Sequence, residues 1–208
     1  MIVLVRHGQT TLNAEGRLSG HLDVPLTDLG VAQAAAAARA VKAMGQPTRV
    51  ICSPLQRARQ TASALEASAL EASALEVGVE VDDRWIELDY GEYDGRPTTE
   101  VPAETWRAWR LDSAFRPPGG ESLDALDARV RPACDELAAS GAADELVVVV
   151  THVSPIKAAV AWALGVGIDV SWHMYVAPAS IAVIGLGPGG PSLHAFNQTA
   201  HLEALFGG

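Results

Sequence analysis

Leu146-Val147-Val148-Val149-Val150-Thr151-His152 is apolar for five positions and then turns polar. Valine fills four of those five places, and so short a run with no polar alternation reads as a strand buried on both faces. Strands of that kind belong to a mainly parallel sheet with helices packed on either side. Ile2–Val5 and Arg49–Cys52 have the same character. Between these runs lie longer helical patterns at 27–44, 54–76, 103–112, 122–140 and 154–165. Near the end, Ile181–Leu186 and Ser192–Phe196 flank Gly187-Pro188-Gly189-Gly190-Pro191, a reversal between two strands. The alternation predicts an α/β fold of three layers, α/β/α, with a mainly parallel sheet. No linker of domain-separating length interrupts it, so residues 1–208 are expected to form a single domain.

Helix starts carry chemical marks. Ser53-Pro54 and Ser154-Pro155 each pair a capping hydroxyl with a proline at the first helical position, and Thr27 is a further cap. One segment breaks the pattern: Ala62–Glu66, Ala67–Glu71 and Ala72–Glu76 are three identical copies of Ala-Ser-Ala-Leu-Glu. Its composition favours helix, but a five-residue step turns roughly 140° about the axis, so its leucines cannot share a face. Leu65 is expected in the core, with Leu70 and Leu75 partly exposed. Residues 62–76 read as a tandem expansion that lengthens a surface helix away from Arg57, with an interface on the exposed leucines as the functional alternative.

Composition narrows the function. Of 208 residues, 49% are hydrophobic and 19% charged, enough for a core and against global disorder. The net charge of −10 argues against nucleic acid or an anionic membrane as partner, yet leaves room for a small phosphate held by a few convergent cations. No apolar stretch is long enough to span a bilayer, and Met1–Val5 ends at Arg6 as a strand would rather than as a leader. Two cysteines, Cys52 and Cys134, make no disulfide framework, so a reduced cytoplasmic setting is expected. No zinc-type ligand spacing is present, and neither a metal nor a cofactor is expected.

The candidate chemistry sits at strand ends. In Leu4-Val5-Arg6-His7-Gly8-Gln9-Thr10 a strand closes on Arg6, His7 follows, and Gly8 lets the backbone turn. Ligands of open α/β sheets bind at the carboxyl ends of strands. A polar loop with Asn13, Arg17, Ser19 and Gly20 comes next. Arg57 stands in the first turn of the helix after the second strand, where its guanidinium could join backbone N–H groups in holding an anion, while Arg59 points elsewhere. His152 again ends a buried strand before a helix. Two histidines and two arginines thus form a basic pocket in an acidic protein.

These residues resemble the histidine phosphatase superfamily, the phosphoglycerate mutase-like group. The resemblance rests on Arg6-His7-Gly8, on Ser-Pro-x-x-Arg-x-x-x-Thr-Ala from Ser53 to Ala62, and on His152. Asp23–Gly30 with Gln33-Ala34, Glu87-Leu88-Asp89-Tyr90-Gly91 with Gly95, and Pro118-Gly119-Gly120-Glu121-Ser122 add to it, and it runs from Met1 to about Leu164. It implies that His7 is the nucleophile that becomes phosphorylated, that Arg6, Arg57 and His152 surround the phosphoryl group, and that Glu87 is the general acid. Asp89, Glu92 and Asp94 stay as alternatives to Glu87. Asn13, Ser19, Gly20 and Val153 are further candidates for phosphate contact; Val153 stands where the family often has glycine, which would narrow the pocket. His21, Trp106 and Arg110 are candidates for specificity. Trp106, Arg107, Trp109 and Arg110 read as a helix packed by its tryptophans with arginines in solvent, or as a lid over substrate. His173, His194 and His201 read as structural or surface groups.

The expected activity is metal-independent hydrolysis of small phosphomonoesters through a phosphohistidine. A cofactor-dependent phosphoglycerate mutase and a non-catalytic phospho-ligand-binding module are the alternatives. The family's mutases tend to be longer, so the length favours the phosphatase. The expected partner is a small phosphorylated metabolite, and the expected state a monomer or homodimer.

Overall fold

The computed structural model describes residues 1–70, 78–140 and 145–206. Six strands form one sheet: β1 (Ile2–Arg6), β2 (Arg49–Cys52), β3 (Val79–Val81), β4 (Val147–Thr151), β5 (Ile181–Gly187) and β6 (Gly190–Gln198), in the order β3-β2-β4-β1-β5-β6. The first four in that order run parallel, and β5 and β6 close the edge antiparallel. The parallel strands β1, β2 and β4 and the β5–β6 hairpin are the expected ones. β3 was not legible in the sequence, because it is three residues long with Glu80 at its centre.

The helices are α1 (Thr11–Ala14), α2 (Asp28–Met44), α3 (Gln56–Leu70), α4 (Ala103–Leu111), α5 (Leu123–Ser140) and α6 (Val153–Leu164). Successive side chains of a strand face opposite sides, which sorts the core into two halves. Ile2 and Leu4 of β1 with Val147 and Val149 of β4 meet Leu126 and Val130 of α5 and Ile156 of α6. Val3, Val5, Val148 and Val150 meet Val41 of α2 and Ala58 and Leu65 of α3 on the other face. Each face of the valine run is therefore covered, as its lack of polar alternation requires. Among the described residues, no helix is long and apolar enough to cross a membrane.

Thr27 caps α2 as expected, accepting from Gly30 N at 3.0 Å. Two other starts differ. α3 begins at Gln56, three residues after Ser53, and the backbone N–H of Gln56 donates to Asp23 Oδ1 at 2.6 Å. Those of Ala58 and Arg59 go to the Leu55 carbonyl. Protein acceptors hold these three donors, so they are not offered to an anion. In α6 the cap is not Ser154 but His152, whose side chain makes no cap hydrogen bond. The first turn is satisfied instead by a carboxylate from elsewhere in the chain, that of Glu87. Leu65 is buried in the core as expected. The side chain of Leu70, and all of Leu75, lie outside the described residues.

Candidate active site

β1 and β4 are adjacent and parallel, with Arg6 opposite Thr151, so His7 and His152 leave the sheet side by side. Their ring centroids are 5.0 Å apart. Gly8 follows because nothing larger fits: a Cβ there would collide with the Gly30 carbonyl oxygen at the start of α2, and one on Gly30 would collide with Gln9. The turn is also pinned by Gly8 N donating to Thr61 Oγ1 of α3 at 3.1 Å and by Gln9 N donating to Gln33 Oε1 at 2.8 Å. The His7 loop is thus fixed from two helices.

The tautomers follow from the partners. His7 Nδ1 lies 2.7 Å from the Gly8 carbonyl oxygen, which can only accept, so Nδ1 carries the proton and Nε2 the lone pair. Burial, and then the guanidinium groups of Arg6 and Arg57, hold the His7 pKa well below its ordinary 6.5. His152 is set the other way round. Arg57 Nε can only donate, and it lies 3.3 Å from His152 Nδ1, so His152 donates through Nε2 to Ser53 Oγ at 2.7 Å. Burial and then Arg57 depress its pKa as well. His7 is therefore a neutral base with its lone pair fixed in direction.

Arg57 is fully buried. It also donates through NH1 to the Leu22 carbonyl and through NH2 to that of Gly20, both at 2.7 Å. Each terminal nitrogen keeps a second N–H. Arg6 donates through NH1 to the Val176 carbonyl at 2.7 Å, and its buried Nε has no acceptor among the described residues. Guanidinium groups already anchored by carbonyls are donors held in advance of any anion. Asn13 stands close by: its Oδ1 accepts from Thr10 N at 3.1 Å and its Nδ2 points at Ser19 Oγ, 3.5 Å away. Gly20 takes a positive φ of 42° and abuts Asp94.

Glu87 is 5% exposed and reaches the same place from the other side of the sheet. Its Oε2 accepts from Val153 N at 3.2 Å, and Oε1 from Ser154 N at 3.1 Å and Leu88 N at 2.8 Å. The carboxylate is thus seated on the N-terminus of α6, directly beside His152. Its neighbours are elsewhere. Asp89 accepts from Gly91 N and faces His21, Asp94 accepts from His21 N, and Glu92 is exposed. The backbone carrying Glu87 is held by Arg129 of α5, which donates through NH2 to the Glu87 carbonyl at 3.1 Å, and by His21, whose Nε2 lies 2.9 Å from the same oxygen.

In the Trp106–Arg110 cluster, Trp109 is buried and Trp106 half-buried, stacked with centroids 5.6 Å apart, while Arg107 and the specificity candidate Arg110 are exposed. α4 is packed down by its tryptophans. Arg110 lies over the Trp172 ring at 5.6 Å. Sequence reading passed over Ser53 and Thr61 as separate participants, although both stand inside the motif from Ser53 to Ala62. It also missed Arg129 and Lys157. The only signal for Lys157 was its spacing of four from Val153, which stacks the two on one face of α6.

The family model described as histidine phosphatase superfamily, branch 1, matches residues 2–199. This chain belongs to that superfamily. It is 36% identical over 206 residues to a bifunctional protein of Mycobacterium tuberculosis, a match that takes in 97% of this chain and 54% of that protein. The chain thus spans about half the length of that relative. It is 39% identical over 177 residues to glucosyl-3-phosphoglycerate phosphatase of Mycolicibacterium vanbaalenii, covering 81% of this chain and 76% of the relative. Among solved structures, the mycobacterial glucosyl-3-phosphoglycerate phosphatase in complex with VO3 superposes with a TM-score of 0.84 at 32% identity, covering 95% of this chain and 99% of the other.

Membership does not set the pH response of this histidine phosphatase chain; the two buried rings do. Both fold neutral, whereas in the unfolded chain each titrates near 6.5. Below that pH the unfolded state binds more protons. Stability from these two groups is therefore expected to be flat well above 6.5 and to fall as the pH drops through it, by up to about 1.4 kcal/mol per pH unit for each histidine. Urea midpoints measured between pH 8 and about 5 check this; a midpoint that rises on acidification below 6.5 contradicts it.

Proposed function

We propose that this chain hydrolyses small phosphomonoesters without a metal, through a phosphohistidine on His7. The observation that carries the reading is the His7 Nδ1–Gly8 carbonyl bond of 2.7 Å, which leaves Nε2 unprotonated on a ring that feels the charges of Arg6 and Arg57. Nε2 attacks phosphorus, and the bond to the ester oxygen breaks. The free N–H groups of Arg6 and Arg57 meet the charge that spreads over the equatorial oxygens. Asn13, Ser19 and Gly20 border this anion site. A bound dianion favours a proton on His152 Nδ1, which turns that nitrogen from an acceptor of Arg57 into a donor to phosphate.

Glu87, in its acid form, gives its proton to the departing alcohol oxygen. In the second half, water attacks phosphorus, its proton passes to the Glu87 carboxylate, and the lone pair returns to His7 Nε2. The same seat on α6 serves both halves, because the Val153 and Ser154 N–H groups hold the carboxylate where the ester oxygen leaves and where water arrives. The relatives' names make phosphorylated sugars and sugar acids natural members of a substrate panel.

The reading is tested by such a panel in EDTA, including glucosyl-3-phosphoglycerate, fructose 2,6-bisphosphate and 3-phosphoglycerate. Release of inorganic phosphate, undiminished by the chelator, is expected. Isomerisation of phosphoglycerates stimulated by 2,3-bisphosphoglycerate would establish a mutase instead. Phosphate binding with no turnover on any ester would establish a binding module.

A further inference from the structure

Beside Glu87 lies a second, apolar chamber that phosphate chemistry does not use. It is a cavity of about 170 Å³, walled by Tyr90, Trp106, Trp109, Trp172, Val153 and Lys157, with four leucines and two serines making up the rest. Its floor is shared with the active site. The backbone N–H groups of Val153 and Ser154 hold the Glu87 carboxylate, and the side chains of the same two residues line the cavity. Leu88, next to Glu87 in the chain, lines it too.

The wall is rigid on its aromatic side. Trp109 packs against Trp172 with centroids 6.4 Å apart, and Trp106 meets Trp172 edge-on at 6.2 Å. Such edge-to-face packing fixes ring positions. A dry engineered cavity of about 150 Å³ accommodates a benzene ring, so this one holds a body of about that size.

Its polar side chains include the hydroxyls of Tyr90, Ser154 and Ser171. The indole N–H of Trp106 donates to the Thr98 carbonyl, but those of Trp109 and Trp172 are buried with no acceptor among the described residues. Neither nitrogen has accessible surface, so neither is offered to a ligand in the cavity. Lys157 adds a cation. No described carboxylate lies within ion-pair distance of its ammonium. Burial lowers its pKa, opposed by the Glu87 charge. Among the described residues, no acidic side chain lines the cavity.

The proton donor must face the ester oxygen, so the body of the leaving alcohol extends from the phosphate past Glu87, on the side where this cavity lies. We propose that the cavity receives that alcohol, and that the alcohol is a compact ring-sized apolar body bearing a carboxylate, met by the Lys157 ammonium. This rests on the phosphatase reading and adds its substrate class. A polyol such as glycerol would bring no charge to Lys157 and would lose its own hydration against leucine and tryptophan.

The test compares kcat/KM for glycerol 3-phosphate, benzyl phosphate and the 3- and 4-carboxybenzyl phosphates, all esters of primary alcohols. At least one carboxybenzyl ester is expected to exceed glycerol 3-phosphate by about tenfold or more. Lys157→Met is expected to cut the ratio of carboxybenzyl to benzyl ester about tenfold. Circular dichroism of the variant guards against misfolding. Labelling of His7 by acetyl phosphate separates the two levels of the claim. If His7 is labelled yet glycerol 3-phosphate matches the ring esters, or the ratio survives Lys157→Met, the cavity assignment is overturned while the phosphatase reading stands. If His7 takes no label and no ester turns over, both fall.

Discussion

His7→Ala is expected to lower kcat for every phosphomonoester by at least about four orders of magnitude, because no other group replaces a covalent nucleophile. The loss should fall on kcat rather than on anion binding. Arg6 and Arg57 are anchored by carbonyls of Val176, Gly20 and Leu22, none of which depends on the His7 ring. Titration of the variant with inorganic phosphate should therefore still show binding, and circular dichroism an unchanged fold. A variant that keeps more than about a hundredth of the activity would remove His7 from the chemistry.

The second large effect is selective. Glu87→Gln keeps the size of the side chain but has no proton to give, so alkyl phosphates should lose about two to four orders of magnitude in kcat. Activated aryl phosphates, whose alcohols leave without a proton, should lose far less. The comparison separates acid catalysis from structure. The amide also places an NH2 against one of the N–H groups of Val153 and Ser154, which weakens the start of α6 for both substrate types alike. Equal losses on alkyl and aryl esters would mean that Glu87 acts only as the cap of α6.

That cap shows where sequence reading ran short. Ser154-Pro155 carries the local marks of a helix start, and a local reading stops there. The acceptor that satisfies α6 comes from Glu87, 66 residues before Val153, and only the fold brings it in. Arg57 gives a similar lesson. Its place at the start of a helix was legible, but Asp23 reaches across to take a backbone donor of that turn. By contrast, the sheet was legible because burial on both faces leaves a run such as Val147–Val150 without polar alternation. His7 and His152 were legible because each directly follows such a run. The cavity was not, since its wall is gathered from Leu18 through Trp172 and no single segment shows it.

The central claim is a covalent bond between phosphorus and His7 Nε2, and rapid-quench labelling reads it directly. Enzyme mixed with a 32P-labelled phosphomonoester and quenched in alkali within milliseconds should carry label that survives base and is lost in acid, mapped by mass spectrometry to the peptide holding His7. Turnover with no protein-bound label at any quench time, or label on another residue, would contradict the account.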